Sequence, residues 1–283
     1  MSLSSYRSDG PRRIVCLTEE TTEILYLLGE SERIVGISGF TCRPKEAREK
    51  PKVSAFTSAR IDKILALHPD LVIGFSDLQA AIAQDLIKAG VNVLVFNQRS
   101  VDEIFEMIAM VSRIVAAEDK GLVLMAEWER NLTHIAQAAA RFPRRPRVFF
   151  EEWPDPLISG IRWVDEFIEL AGGEPVFPQL REQQAATGRI VTAEQLAAVN
   201  PDVIIASWCG RKVNKAEIRR RTPEVSAVRN NHIYEIKSTY ILQPGPASLT
   251  EGVRQLHVIL AHVAGSQPAP GLAPQEKLDP DIK

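Results

Sequence analysis

Apolar and polar positions change period several times along the chain, and the changes mark its elements. Arg13-Ile14-Val15-Cys16-Leu17 reads as a short strand entered from the polar leader MSLSSYRSDGPR. Over residues 21–28 the apolar side chains of Ile24, Leu25, Leu27 and Leu28 take helical spacing, and Gly29 marks the stop. Residues 34–37, 71–75 and 91–96 are apolar runs of strand length, with a helix over 78–89 between the last two. Strands alternating with helices in such short units predict an α/β fold with parallel sheets. After Phe96 the alternation stops. Residues 101–116 and 119–141 are both helical, the second with Leu122, Met125, Trp128, Leu132 and Ile135 on one stripe. At 1.5 Å per residue that helix is about 34 Å long. Pro143 and Pro146 end it, and Arg147-Val148-Phe149-Phe150 opens a second α/β series.

The second series repeats the first. IDKILALHPDLVIG at 61–74 matches AEQLAAVNPDVIIA at 193–206: a short helix, a Pro-Asp turn and a buried strand. The proline closes each helix, because its ring and missing N–H cannot continue the ladder. The repeat predicts two similar lobes joined by the long helix. The expected boundaries are a disordered leader 1–12, an N-terminal lobe 13–117, a bridging helix 118–142, a C-terminal lobe 143–265 and a flexible tail 266–283. A cleft between two lobes is where ligands usually bind, and the loops after the C-terminal ends of parallel strands are expected to open there. Those loops are 40–43, 55–57, 75–77, 151–154, 207–210 and 238–240, and nearly all carry an aromatic. Aromatics are only 6% of the chain, so their recurrence at strand ends points to a ligand surface rather than to packing.

Composition narrows the classes. The chain has 283 residues, 45% hydrophobic and 25% charged, with a formal net charge of -2. It can bury a substantial core, and it has no global field to attract nucleic acid or anionic lipid. The basic clusters RFPRRPR at 141–147 and Arg219-Arg220-Arg221 read as solvated joints, so no nucleic-acid partner is expected. Three scattered cysteines make no disulfide framework or CxxC site, and the five histidines form no HxH or HExxH pattern. No resident metal or cofactor is expected. No apolar stretch approaches the roughly 20 residues that span a bilayer. The leader lacks the apolar core of a signal peptide. The expected location is cytoplasmic if the chain is complete, and periplasmic or membrane-tethered outside the cytoplasm if a signal was removed.

VFFEEWPDPLISG, at 148–160, sets two glutamates and a tryptophan after an apolar run. Paired carboxylates beside an aromatic suggest a glycosidase. Neighbours on a strand point to opposite faces, whereas a retaining pair must sit about 5 Å apart across its substrate. No GxSxG elbow, GxGxxG or P-loop is present. Trp153, flanked by Pro154 and Pro156, makes a rigid apolar surface suited to stacking. The stretch reads as a pocket wall. A cleft hydrolase using Glu151 or Glu152 stays as an alternative.

RIVCLTEETTEILYLLGESERIVGIS, PKVSAFTSARIDKILALHPDLVIGF and GRIVTAEQLAAVNPDVIIA together resemble the helical-backbone (class III) substrate-binding proteins of ABC importers. The similarity is closest to the vitamin B12-binding and ferric siderophore-binding members, and it covers residues 13 to about 265. It implies a non-enzymatic, monomeric binder that delivers a small molecule to importer membrane subunits. The implied ligand is a metal-containing corrinoid or related chelate. A ferric siderophore or haem, or a cytoplasmic corrinoid-binding relative, are the alternatives.

By position Phe56 and Phe75 match tryptophans of the cobalamin binders and Phe40 matches a tyrosine. Phenylalanine keeps the flat face and loses the polar edge. The loop at 186–188 has no tryptophan where the family carries one, and Trp208 is expected to supply stacking area instead. Residues 239–246 lack the aspartate and arginine of B12 importers, which leaves Tyr240 and Gln243. The expected ligand-binding set is therefore Phe40, Phe56, Phe75, Glu152, Trp153, Trp208, Tyr240 and Gln243. Trp163 is read as either core or pocket, Trp128 as packing, and Cys209 as a metal contact or an inert thiol. Asp62 and Glu194 match glutamates that pair with arginines of the two membrane subunits. An acid favoured by the helix dipole is the competing explanation for both.

Overall fold

The computed structural model describes residues 9–272. The expected leader and tail lie outside the described residues over 1–8 and 273–283. Two compact units form: one takes the chain up to Gln98 and Asp102–Ala126, the other Arg99–Val101 and everything from Glu127.

The first lobe carries β1 (Ile14–Cys16), α1 (Glu19–Leu27), β2 (Ile34–Ser38), β3 (Lys52–Ser54), α2 (Ile61–Ala66), β4 (Leu71–Phe75), α3 (Ala80–Lys88), β5 (Val93–Phe96) and α4 (Val101–Ile114). Its sheet runs β3-β2-β1-β4-β5, every pair parallel. β1 is central and wholly buried, as a strand covered on both sides should be. Several boundaries differ from the sequence pattern: β5 starts at Val93 rather than 91, and α4 ends at Ile114 rather than 116. α1 begins at Glu19, because the polar turn before the first apolar position is already helical. The helix expected from Leu78 opens as a 3₁₀ turn over Asp77–Gln79. β3 gave no signal, having one buried residue among three.

α5 (Glu118–Ala139) follows, and the boundary between the two units falls within it. Met125, Trp128, Leu132 and Ile135 are buried, but Leu122 is 52% exposed. With 3.6 residues per turn, Leu122 lies roughly 120–140° around the helix from Trp128 and Ile135, off their stripe.

The second lobe carries β6 (Arg147–Pro154), β7 (Leu157–Ser159), α6 (Arg162–Leu170), β8 (Glu174–Pro175), α7 (Ala193–Val199), β9 (Val203–Ala206), α8 (Lys215–Arg221), α9 (Ser226–Arg229), β10 (Ile233–Glu235), α10 (Ser238–Ile241) and α11 (Val253–Ala264). Its sheet runs β10-β9-β6-β7, with β8 also on β6. Only the β6–β7 pairing is antiparallel.

The repeat appears as α2–β4 in one lobe and α7–β9 in the other. His68 and Asn200 sit at the same offset, both in the left-handed region (φ 47° and 43°) that reverses the chain out of its helix. The aspartate of each Pro-Asp turn then fastens a neighbouring strand. Asp70 accepts from the Arg12 and Arg13 amides at 2.7 and 2.9 Å, and its own amide donates to the Arg13 carbonyl at 2.9 Å. Asp202 accepts from the Arg147 amide at 2.9 Å and returns a bond to the Arg147 carbonyl at 2.8 Å. Each aspartate thus sets where β1 or β6 starts relative to β4 or β9, and so aligns the strand ends that carry the candidate site.

Candidate functional site

In the first lobe the ends of β1, β2, β3 and β4 form one edge, and a single side chain ties three of them together. Gln79 is fully buried. Its Oε1 accepts from the Phe75 amide at 2.9 Å, and its Nε2 donates to the Phe56 carbonyl at 2.9 Å and the Leu17 carbonyl at 3.5 Å. Gly74 makes room, since a Cβ there would lie 2.7 Å from the Gln79 Oε1. The Phe56 and Phe75 rings are thereby held 6.5 Å apart at 42°. Phe75 is buried, Phe56 half-buried and Phe40, after β2, is 51% exposed. The structure thus brings Phe56 and Phe75 together, while Phe40 stands free in solvent.

Beyond β1 the same edge carries Glu19, Glu20 and Glu23, all buried. The Thr18 hydroxyl donates to Glu20 at 2.6 Å, and the Arg43 Nε donates to Glu23 at 3.0 Å. Burial, and then the neighbouring carboxylates, push Glu19 up to about 8. Burial likewise pushes Glu20 up to about 7, against the Thr18 bond that favours its charge. In neutral water these groups hold or release a proton, or accept hydrogen bonds. The sequence signal for this cluster is three glutamates within five residues straight after a strand. Gln79 carried no such signal.

The second lobe departs from expectation at the stretch VFFEEWPDPLISG. Residues 151–154 are not a loop: β6 continues through Pro154 and turns back as β7, pairing Glu151 with Ser159 and Trp153 with Ile158. The glutamates do point apart, and each is satisfied. Glu151 is fully buried, accepts from the Trp208 Nε1 at 3.2 Å and forms an ion pair with Arg221. Burial outweighs the Arg221 guanidinium and pushes its carboxyl up to about 7. Glu152 takes a two-pronged bond from Arg189, at 2.5 and 3.1 Å. Arg189 is itself 1% exposed and also donates to the Ser159 carbonyl at 2.5 Å. Neither carboxylate of the pair is left spare for hydrolysis. Arg189 and Arg221 lie 37 and 70 residues from these partners, too far for any local pattern to link them.

Trp208 is corrected by the same network. It is 2% exposed, packed among Phe149, Leu157 and Val213, with the Arg211 guanidinium 4.9 Å over its ring. Its indole N–H is spent on Glu151. It is a core residue, not an open stacking face. Trp153 is half-buried against that core and donates its Nε1 to the Asp155 carbonyl at 2.9 Å. Tyr240, on α10, is buried with the Lys237 ammonium 5.8 Å from its ring; Gln243 is half-buried. Trp163 belongs to the core, donating to the Ile241 carbonyl at 3.0 Å.

Asp62 and Glu194 are each the second residue of their helix, and both are exposed. Arg60 lies 3.8 Å from Asp62, and the Thr192 hydroxyl holds Glu194 below the usual carboxylate range. Among the described residues no three His, Cys, Asp or Glu side chains converge as a metal site. No helix among them is long and apolar enough to cross a membrane.

The sequence profile of the periplasmic binding protein family matches residues 14–240. The chain belongs to that family. An ABC transporter substrate-binding lipoprotein of Bacillus subtilis is 30% identical over 257 residues, covering 87% of this chain and 79% of that protein. The vitamin B12-binding protein of Vibrio parahaemolyticus is 28% identical over 240 residues, 84% of this chain and 85% of its own length. Among solved structures, the haem-binding protein RhuT of Roseiflexus has the same fold, with a TM-score of 0.78 at 24% identity over 90% of this chain and 100% of that one. This periplasmic binding protein is therefore a substrate-binding component of the ABC-importer type, with a small-molecule ligand and a membrane transporter as partners. The family binds and delivers; it does not catalyse.

Proposed function

We propose that the protein captures a planar metal chelate, a corrinoid, on the aromatic strand ends and delivers it to an importer from outside the cytoplasm, as a monomer. The observation that carries this is the Phe56–Phe75 pair, held at fixed separation by Gln79 with Phe40 exposed nearby in sequence order. Flat apolar faces attract a conjugated ring in water at little entropic expense, because the backbone already fixes them. The B12-binding relative supports the corrinoid over other rings. Trp153, Glu152, Tyr240 and Gln243 are the contacts proposed from the second lobe. Asp62 and Glu194, one exposed acid per lobe at matching helix positions, are proposed to meet two equivalent basic sockets of a dimeric transporter.

Haem is the second reading. Arg211 and Lys212 after β9, and Lys237 after β10, are exposed cations suited to propionates. Calorimetric titration with cyanocobalamin, cobinamide, haem and a ferric siderophore tests both. Saturable one-to-one binding of a corrinoid is expected, and Phe56→Ala should weaken it by about 1–3 kcal/mol, as for a base on an aromatic. Binding of the siderophore alone would remove the macrocycle.

A further inference from the structure

The three glutamates beyond β1 are not explained by the fold. An exposed acid in a first helical turn is favoured by the helix dipole. Here Glu19, Glu20 and Glu23 are only 8%, 2% and 8% exposed. A buried carboxylate is costly unless paired or hydrogen-bonded. Glu23 has the Arg43 guanidinium and Glu20 has the Thr18 hydroxyl. Glu19 has neither: the influences on it are its burial and the like charges of Glu20 and Glu23. Cys16, beneath them on β1, brings no cation, and burial pushes its thiol up to about 12. After β2 a second oxygen, the Thr41 hydroxyl, is also buried without a partner. The sheet order sets the tip of β1 between those of β2 and β4, so these oxygens share one edge with Phe75 and Phe40.

We propose that Glu19, with Glu20 beside it, receives the rim of a macrocycle that carries N–H donors, namely primary carboxamides, and rejects a rim that carries carboxylates. The proposal rests on the reading that the aromatic edge of the first lobe takes a macrocycle. A primary amide offers two donors and a carboxylate several acceptor sites, and bonds to a charged acceptor are about twice as strong as neutral ones. Above about pH 8, where Glu19 and Glu20 are ionised, a propionate in the same place would add a further negative charge to three. The missing partner of Glu19 thus arrives with the ligand. This separates the two macrocycle classes, since a corrin rim bears amides and a haem rim bears propionates.

The test compares the protein with Glu19→Gln and Glu20→Gln by calorimetry at a pH above 8, where Glu19 is ionised. The ligands are cyanocobalamin, its derivatives with one peripheral amide hydrolysed to a carboxylate, and haem. The unaltered protein should favour the amide form over the least-tolerated monocarboxylate by at least about tenfold, or 1.4 kcal/mol. In Glu19→Gln that ratio should collapse and cyanocobalamin should bind more weakly, while the ligand-free variant melts at a higher temperature. A merely structural residue would lower stability and affinity together. Equal affinity for amide and carboxylate forms, or a ratio unchanged in Glu19→Gln, would overturn this proposal and leave macrocycle binding standing. No saturable binding of any of these ligands would remove the ligand reading itself, and this proposal with it.

Discussion

The two lobes repeat one supersecondary unit, yet the glutamates at the end of the first strand of each lobe are handled in opposite ways. In the second lobe Glu151 and Glu152 are each matched to a guanidinium from elsewhere in the same lobe, Arg221 and Arg189. In the first lobe Glu19 is buried and matched to nothing. Evenly paired charges belong to the scaffold, because each supplies what the other lost on leaving water. Glu19 lacks such a partner. The glutamates beside a tryptophan in the hairpin are scaffold. Those hidden in a helix start are the better candidates for ligand contact.

Breaking the second lobe's pairing should give the largest effect. Arg221→Met removes the cation from a carboxylate that is fully buried. Loss of one partner of a buried pair costs about 3–5 kcal/mol, and urea unfolding at pH 8 should show a loss of that order. Below about 7, where the carboxyl takes up its own proton, the deficit should shrink. A deficit independent of pH would mean that Arg221 acts through packing alone.

Much of this contrast could not be read along the chain. The helix, Pro-Asp turn and strand of each repeat were legible, because apolar runs bounded by a proline leave few alternatives. The parallel sheets and the aromatic strand ends followed from them. β3 was not legible, since Lys52, Val53 and Ser54 offer a single buried side chain. The β6–β7 hairpin is not legible either, since Arg189 and Arg221, which pair with its glutamates, lie 37 and 70 residues away. Nor is the burial of Trp208 legible, because its partner Glu151 lies 57 residues away. Local pattern reveals elements, whereas charge matching is a property of tertiary contact.

The first lobe's buried glutamates make a smaller, pH-dependent prediction. Glu19 and Glu20 rise from 4.5 to about 8 and about 7 on folding. Folding therefore favours their protonated forms. That contribution is fully present below pH 4.5 and is lost as pH rises through about 7 and then about 8. Melting temperature should fall across this window, and Glu19→Gln should flatten the upper part of the fall. Among the groups facing the cluster are Cys16 beneath it and Arg43 beside Glu23. Arg43 keeps its charge throughout, so the slope belongs to the glutamates. A melting temperature that climbs from pH 5 to pH 8 in the unaltered protein, and is unchanged in the variant, would place Glu19 in water.

The smallest effect on the folded protein is expected where the lobes agree. Asp62 and Glu194 are exposed at the same offset in α2 and α7, each near a helix start. The dipole accounts for either residue alone, at about 0.3–1 kcal/mol. It does not require both, and their surroundings differ. Glu194 has the Thr192 hydroxyl, within a helix start that Thr192 and Gln195 cap reciprocally. Asp62 has only a long approach from Arg60 at 3.8 Å, between two exposed side chains. If capping were the reason for the acids, the poorly capped α2 would depend on its acid more than α7. If docking is the reason, both count equally, because a dimeric transporter presents two equal sockets. Asp62→Asn with Glu194→Gln should therefore shift stability by no more than about 2 kcal/mol, the sum of two dipole contributions, and leave ligand affinity in place. Transport by a cognate importer in vesicles should be lost, and each single variant should lose a similar share. Full transport by the double variant, with a stability loss confined to Asp62→Asn, would assign both acids to their helices.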